Sequence, residues 1–187
     1  MKGKKRRLVR AITLIVALYF GLLLMSMNDI DNLENSPISG GLDVQLLDTG
    51  SVARSGVELD DVKDIVIHYV GNNPRSKVSA HFIIGLDGEI IQAIPLDERS
   101  SATNWRNNDT ISIELCHPDE TGKFTQETYD SLVLLTSWLT EEFDLEVDNI
   151  IRHYDVTGKL CPLYFVENED KWMQFKEDVQ YYDQSFL

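Results

Sequence analysis

Asp64-Ile65-Val66-Ile67-His68-Tyr69-Val70 is the stretch on which the fold turns. Its apolar, largely β-branched residues follow one another without alternating with polar ones, the pattern of a strand buried on both faces at the centre of a sheet. Gly71-Asn72-Asn73-Pro74 ends it, as turn-forming residues do. Working outward, His81-Phe82-Ile83-Ile84 and Glu89-Ile90-Ile91-Gln92-Ala93-Ile94 flank Gly85-Leu86-Asp87-Gly88, a hairpin signature. Thr110-Ile111-Ser112-Ile113-Glu114-Leu115-Cys116 alternates with period two. That puts Ile113 and Leu115 on one face and Ser112, Glu114 and Cys116 on the other. Thr125 is placed to cap a helix to about Phe143, with Tyr129, Leu132, Leu135, Leu139 and Phe143 as its apolar stripe. Asn149-Ile150-Ile151-Arg152 is a short strand delivering His153, and a last helix runs from a cap at Asn168 to about Tyr182. The sum is an α/β fold, a mixed central β-sheet flanked by α-helices.

The chain of 187 residues divides by composition. Lys2, Lys4, Lys5, Arg6, Arg7 and Arg10 all precede the first acidic residue, Asp29. Ala11–Met27 then runs seventeen residues without a charge, at the short end of what crosses a bilayer as a helix. Its end, Leu22-Leu23-Leu24-Met25-Ser26-Met27, is a poor cleavage site for a signal peptide. The expectation is therefore an N-terminal transmembrane helix, a signal-anchor over residues 1–28 with its basic tip in the cytoplasm. An extracytoplasmic linker follows over 29–52 and one catalytic domain over 53–187. Localisation is then the cell membrane, single-pass, with the domain outside; were the segment cleaved, the protein would be secreted. Without the six leading basic residues, 11 basic face 31 acidic ones, a net of −20. Such a domain repels nucleic acid, whose phosphates need clustered Lys and Arg. It is also unsuited to docking by charge onto anionic wall polymers, although surface acid serves solubility as well.

Chemistry concentrates at strand ends. His68 lies near the end of the central strand, His153 just after the last strand, and Cys161 eight residues later. Two imidazoles and one thiolate suit zinc, and three protein ligands leave its fourth position for water. Taken singly, each histidine reads equally well as a hydrogen-bonded structural residue. Cys116 and Cys161 are the two cysteines; a disulfide between them, permitted outside the cell, would destroy such a site.

His153-Tyr154-Asp155-Val156-Thr157-Gly158-Lys159-Leu160-Cys161-Pro162 resembles the second metal motif of the amidase-2 family of N-acetylmuramoyl-L-alanine amidases, which includes phage amidase-type lysozymes and animal peptidoglycan-recognition proteins. Ile65–Tyr69 looks like the family's first metal strand, Ser79–Gly88 like its central hairpin, and Ile111–Cys116 like the strand carrying an acidic catalytic residue. The similarity runs from about Arg54 to Val179. It implies an amidase and peptidoglycan-recognition-protein-like fold, with Zn2+ held by His68, His153 and Cys161. It implies Glu114 as the base and proton carrier and Lys159 as stabiliser of the oxyanion. The implied bond joins the lactyl group of N-acetylmuramic acid to L-alanine in peptidoglycan. Expected partners are peptidoglycan and, through the N-terminal helix, the membrane; no nucleic-acid partner is expected, and the domain is read as a monomer.

Other residues stay open between roles. Asp155 supports a ligand or shapes its loop, and His81 and His117 line a groove or serve structure. Two departures stand out. Ala80 occupies a position where some members have a catalytic tyrosine, which leaves the task to Glu114. Only ten residues, Tyr69–Val78, separate His68 from Ser79, where the family usually has a longer segment with a helix bordering the groove; one sheet face should be thinly covered. The alternatives are a non-catalytic peptidoglycan-binding module and a related zinc peptidase on the same fold.

Overall fold

The computed structural model describes residues 41–74 and 78–184. The transmembrane segment expected over 1–28 lies outside the described residues. Among the described residues, no helix is long and apolar enough to cross a membrane.

Six strands form one mixed sheet in the order β1-β4-β3-β5-β2-β6, with β1 Leu42–Val44, β2 Asp64–Val70, β3 Phe82–Ile84, β4 Ile90–Gln92, β5 Thr110–Cys116 and β6 Ile150–Arg152. The strand read first as central is central: β2 pairs in parallel with β5 on one side and β6 on the other. β3 runs parallel to β5 and antiparallel to β4, closing the expected hairpin. Gly88, at φ +80°, makes its turn; a Cβ there would lie 2.7 Å from the carbonyl oxygen of Glu127, in a backbone region only glycine enters freely.

β1 departs from the sequence reading. Leu42–Val44 lies inside the segment read as linker, yet it pairs in parallel with β4. The Arg54 guanidinium, bonded to Glu98 (2.6 and 2.8 Å) and to the Leu47 carbonyl (2.7 Å), ties the following residues down. The polar, turn-rich composition hid this strand because its stability comes from a partner fifty residues away, not from its own pattern.

Among the described residues four helices follow: α1 Gln126–Glu142, α2 His153–Thr157, α3 Leu163–Glu167 and α4 Glu169–Gln184. α1 starts where its cap predicts, with the Thr125 hydroxyl accepting from the Thr128 amide at 3.1 Å. Leu132, Leu135 and Leu139 are fully buried, whereas Tyr129 is half-buried and donates its hydroxyl to Asp178 on α4. Asn168 stands directly before α4, its carbonyl accepting from the Lys171 and Trp172 amides at 3.0 and 3.1 Å as the expected cap position requires; its side-chain amide instead turns back to the Tyr164 carbonyl at 2.9 Å and closes α3.

Register tells the two sheet faces apart. Arg152 is in register with Ile67 and meets the Phe165 carbonyl, Glu169 and the Trp172 ring. The face bearing Ile65, Ile67, Ile111, Ile113 and Leu115, all fully buried, is therefore the helical one. On the opposite face Ile83, Ala93, Ile94 and Cys116 form a small cluster, covered by the half-buried Leu47, Val70, Val78 and Leu86. Among the described residues no helix residue belongs to that cluster, and none between β2 and β3 is helical.

Candidate active site

Strand alternation and register build the site on the face opposite the one that Arg152 shares with Phe165 and Trp172. His68 and Glu114 are paired positions of the adjacent parallel strands β2 and β5, so their side chains rise side by side. Arg152 faces the helices, so the next residue, His153, turns to the other face. Its ring lies 4.6 Å, centroid to centroid, from that of His68. The chain then makes the single turn of α2, passes Gly158 in the left-handed region (φ +76°) and returns with Cys161. The cis Cys161–Pro162 peptide follows. The ligand atoms of His68, His153 and Cys161 all lie within 4.8 Å of one another, and all three residues are buried. His68 and His153 stand at the carboxyl ends of the parallel strands β2 and β6, where α/β sheets open their crevices, and Cys161 returns beside them from the turn after α2.

The chemistry of this trio suits a cation. Burial holds His68 well below the ordinary imidazole range, and the charges of His153, Lys159 and His81 add to the effect. Burial, with Lys159, lowers His153 as well. Both rings are therefore neutral near pH 7, the state that ligates metal. Burial pushes the Cys161 thiol up to about 11, against a backbone hydrogen bond from Tyr69 and the Lys159 charge. His153 Nε2 donates to Asn104 Oδ1 at 2.9 Å, while its Nδ1 is buried without a hydrogen-bond partner. A buried nitrogen lone pair left unpaired costs roughly 1–3 kcal/mol, and a metal ion removes that cost. Ligand atoms around tetrahedral zinc lie roughly 3.3–3.6 Å apart, so closure on an ion asks for shifts of about an ångström. The two cysteines are both free, and the disulfide alternative is not formed.

Glu114 is buried, and burial raises its carboxyl above the usual range; hydrogen bonds from the Ser79 hydroxyl (2.6 Å) and amide (3.4 Å) and the Lys159 charge pull it back. Lys159 is exposed, yet its ammonium acts electrostatically on His68, His153, Cys161 and Glu114 together. Three candidate ligands thus converge, with one carboxylate in register beside them.

The open residues resolve toward structure. His81 is fully buried, its Nδ1 accepting from the Ser112 amide (3.0 Å) and its Nε2 donating to the Glu98 carbonyl (2.9 Å). It fastens β5 to the loop after β4 and lines no groove. Asp155 accepts from the Arg152 amide (2.8 Å) and guanidinium (3.0 and 3.1 Å), so it caps α2 and does not reach a ligand ring. His117 bonds the Asp119 carbonyl and lies against Tyr69. Ser79, Thr103 and Asn104 were not visible as site residues, because nothing in their spacing sets them apart from ordinary loop residues.

Residues 58–163, more than half of the chain, match the family described as N-acetylmuramoyl-L-alanine amidase (Amidase_2). Among curated relatives, the N-acetylmuramoyl-L-alanine amidase BlyA of Bacillus subtilis (strain 168) is 31% identical over 161 residues, covering 68% of this chain and 43% of that protein. CwlL of Bacillus licheniformis, of the same description, is 26% identical over 156 residues, covering 67% and 43%. The chain spans less than half the length of these relatives. Among solved structures, the catalytic domain of XlyA superposes with a TM-score of 0.62 at 23% identity, covering 74% of this chain and 98% of that one. PlyL gives 0.63 at 20%, covering 74% and 96%; at these identities the likeness is one of fold. With that match over more than half of its length, the chain belongs to the N-acetylmuramoyl-L-alanine amidase family.

Proposed function

We propose that this protein is a zinc-dependent N-acetylmuramoyl-L-alanine amidase that hydrolyses the amide between the lactyl group of N-acetylmuramic acid and L-alanine in peptidoglycan. The observation that carries it is the convergence of His68, His153 and Cys161 within 4.8 Å, with Glu114 in register beside His68. The family match supports the bond and the substrate.

His68, His153 and Cys161 would hold the ion, which supplies Lewis-acid polarisation and a lowered water pKa when bound. Glu114 takes the proton of the water that attacks the lactyl carbonyl carbon. As the C–N bond breaks, Glu114 passes that proton to the departing alanine nitrogen, leaving a lactyl carboxylate and a free α-amine. Burial suits it to both tasks, because a raised carboxyl gives up a proton at less acidic pH less readily than an exposed one and so keeps it long enough to deliver. Lys159 sets its positive charge beside the carbonyl oxygen as negative charge develops there. With Ala11–Met27 as anchor, the domain would work on the wall from the outer side of the membrane.

The test is digestion of purified peptidoglycan by the full chain in mild detergent, followed by mass analysis. New alanine amino termini with intact lactyl acids are expected, lost with chelator and restored by Zn2+. Glu114→Gln should keep zinc and lose turnover by roughly 10²–10⁴-fold, and Cys161→Ser should lose both. Cleavage within the stem peptide would make it a peptidase; retention of the polymer without cleavage would make it a binding module.

A further inference from the structure

Two consecutive residues of the loop before β5 reach both candidate metal histidines. Thr103 Oγ1 lies 3.2 Å from His68 Nε2, and Asn104 Oδ1 accepts from His153 Nε2 at 2.9 Å. One histidine stands on β2 and the other just after β6, so one dipeptide spans the gap between them. We propose that Thr103 and Asn104 are positioning residues of the metal site: together they hold both imidazoles as the Nε2–H tautomer, which turns each Nδ1 toward the ion.

The loop is built for the task. Thr103 is fully buried; its hydroxyl also meets the Ser112 hydroxyl at 2.8 Å, and Ser112 meets Ser100 at 3.3 Å. A short chain of hydroxyls thus backs His68 from inside the sheet. The Thr103 amide donates to Asn107 Oδ1 at 2.7 Å, closing the 3-10 turn Asn104–Arg106. Arg106 pins that turn to Asp64 and Asp109 at the start of β2 and β5. Asn104 itself has φ +57°, a left-handed conformation that side-chain-bearing residues adopt at a cost and that Asn tolerates best. In this conformation its side-chain oxygen meets the His153 ring.

On His153 Asn104 alone decides the tautomer, whereas the Thr103 hydroxyl accepts from His68 Nε2 when its own proton goes to Ser112 Oγ. An imidazole with Nδ1–H cannot ligate through Nδ1, and a neutral ring chooses its tautomer by the partner of its other nitrogen. Asn104 Oδ1 can only accept, so it selects Nε2–H on His153 and leaves Nδ1, buried and unpartnered, as the lone pair facing the ion. Partners of this kind typically change metal affinity by 10–100-fold.

The inference rests on the metal site proposed above, and the experiment separates the two. Long-range 1H–15N correlation on the zinc-free full chain should show Nε2–H on both rings. Asn104→Gly keeps the backbone conformation and removes the acceptor. It should give His153 a mixed tautomer and weaken zinc in chelator competition by 10-fold or more, with thermal stability of the zinc-free protein no lower. Asn104→Asp, which restores an acceptor, should regain the tautomer, and Thr103→Val should produce the corresponding change at His68. Zinc bound by Asn104→Gly at wild-type affinity, or Nδ1–H on both rings of the wild type, overturns this proposal and leaves the metal site standing. Wild-type protein that takes up no zinc overturns both.

Discussion

The Ser79 hydroxyl donates to Glu114 Oε1 at 2.6 Å. Ser79 precedes the hairpin and Glu114 sits mid-strand on β5, so the bond holds the carboxylate in place above the sheet. It also favours the charged form, countering the burial that raises the carboxyl. Ser79→Ala should therefore raise the Glu114 pKa further. Since the base must be ionised, the acid limb of kcat/KM should move to higher pH while the plateau changes little. An unmoved limb would assign it to another group.

Zinc binding should release protons in a countable way. Both imidazoles are held neutral, whereas the Cys161 thiol, raised to about 11, is protonated at pH 7. Calorimetric titration of zinc in buffers of different ionisation enthalpy should report release of about one proton. In Cys161→Ser the release should vanish along with most of the affinity. Release of two or more protons would mean that the histidines start charged.

His81 makes stability depend on pH. Folded, its Nδ1 accepts an amide hydrogen and its Nε2 donates, an arrangement open only to the neutral ring, and burial lowers its pKa to about 4. The unfolded ring, near 6.5, takes up its proton first as pH falls. The group therefore costs nothing above about pH 6.5 and drains stability as pH drops toward 4, by at most about 3 kcal/mol. Urea denaturation of the zinc-free protein across this range should show the loss on top of that from His68 and His153, and His81→Gln should make the slope shallower. An equal slope in the variant would place the acid sensitivity elsewhere.

Arg152 anchors the segment that carries His153. It joins Asp155, Glu169 and the Phe165 carbonyl, and its guanidinium lies over Trp172 at 5.2 Å. Glu169 is largely exposed and adds little; most of the effect comes from Asp155 and the carbonyl. Arg152→Met should cost about 2 kcal/mol in urea denaturation, with weaker zinc binding because Asp155, left with only the backbone amide of residue 152, holds the start of α2 less firmly. A loss under about 0.5 kcal/mol would show that Met packing replaces the network.

Local pattern determined much of this protein. The β-branched run at 64–70, the period-two strand at 110–116, the Gly85–Gly88 hairpin and the Thr125 cap each express a preference of a few adjacent residues. Each appears where its residues predict. That His68, His153 and Cys161 come together, with Glu114 in register beside His68, was legible in residue types and motif order. Tertiary structure alone decided the rest. It made Leu42–Val44 a strand, turned His81 and Asp155 into structural ties, and brought Ser79, Thr103 and Asn104 to the site. The physical reason is the same in each case. These residues are defined by hydrogen bonds to partners brought near by register and chain reversal, and a short window of sequence does not contain those partners.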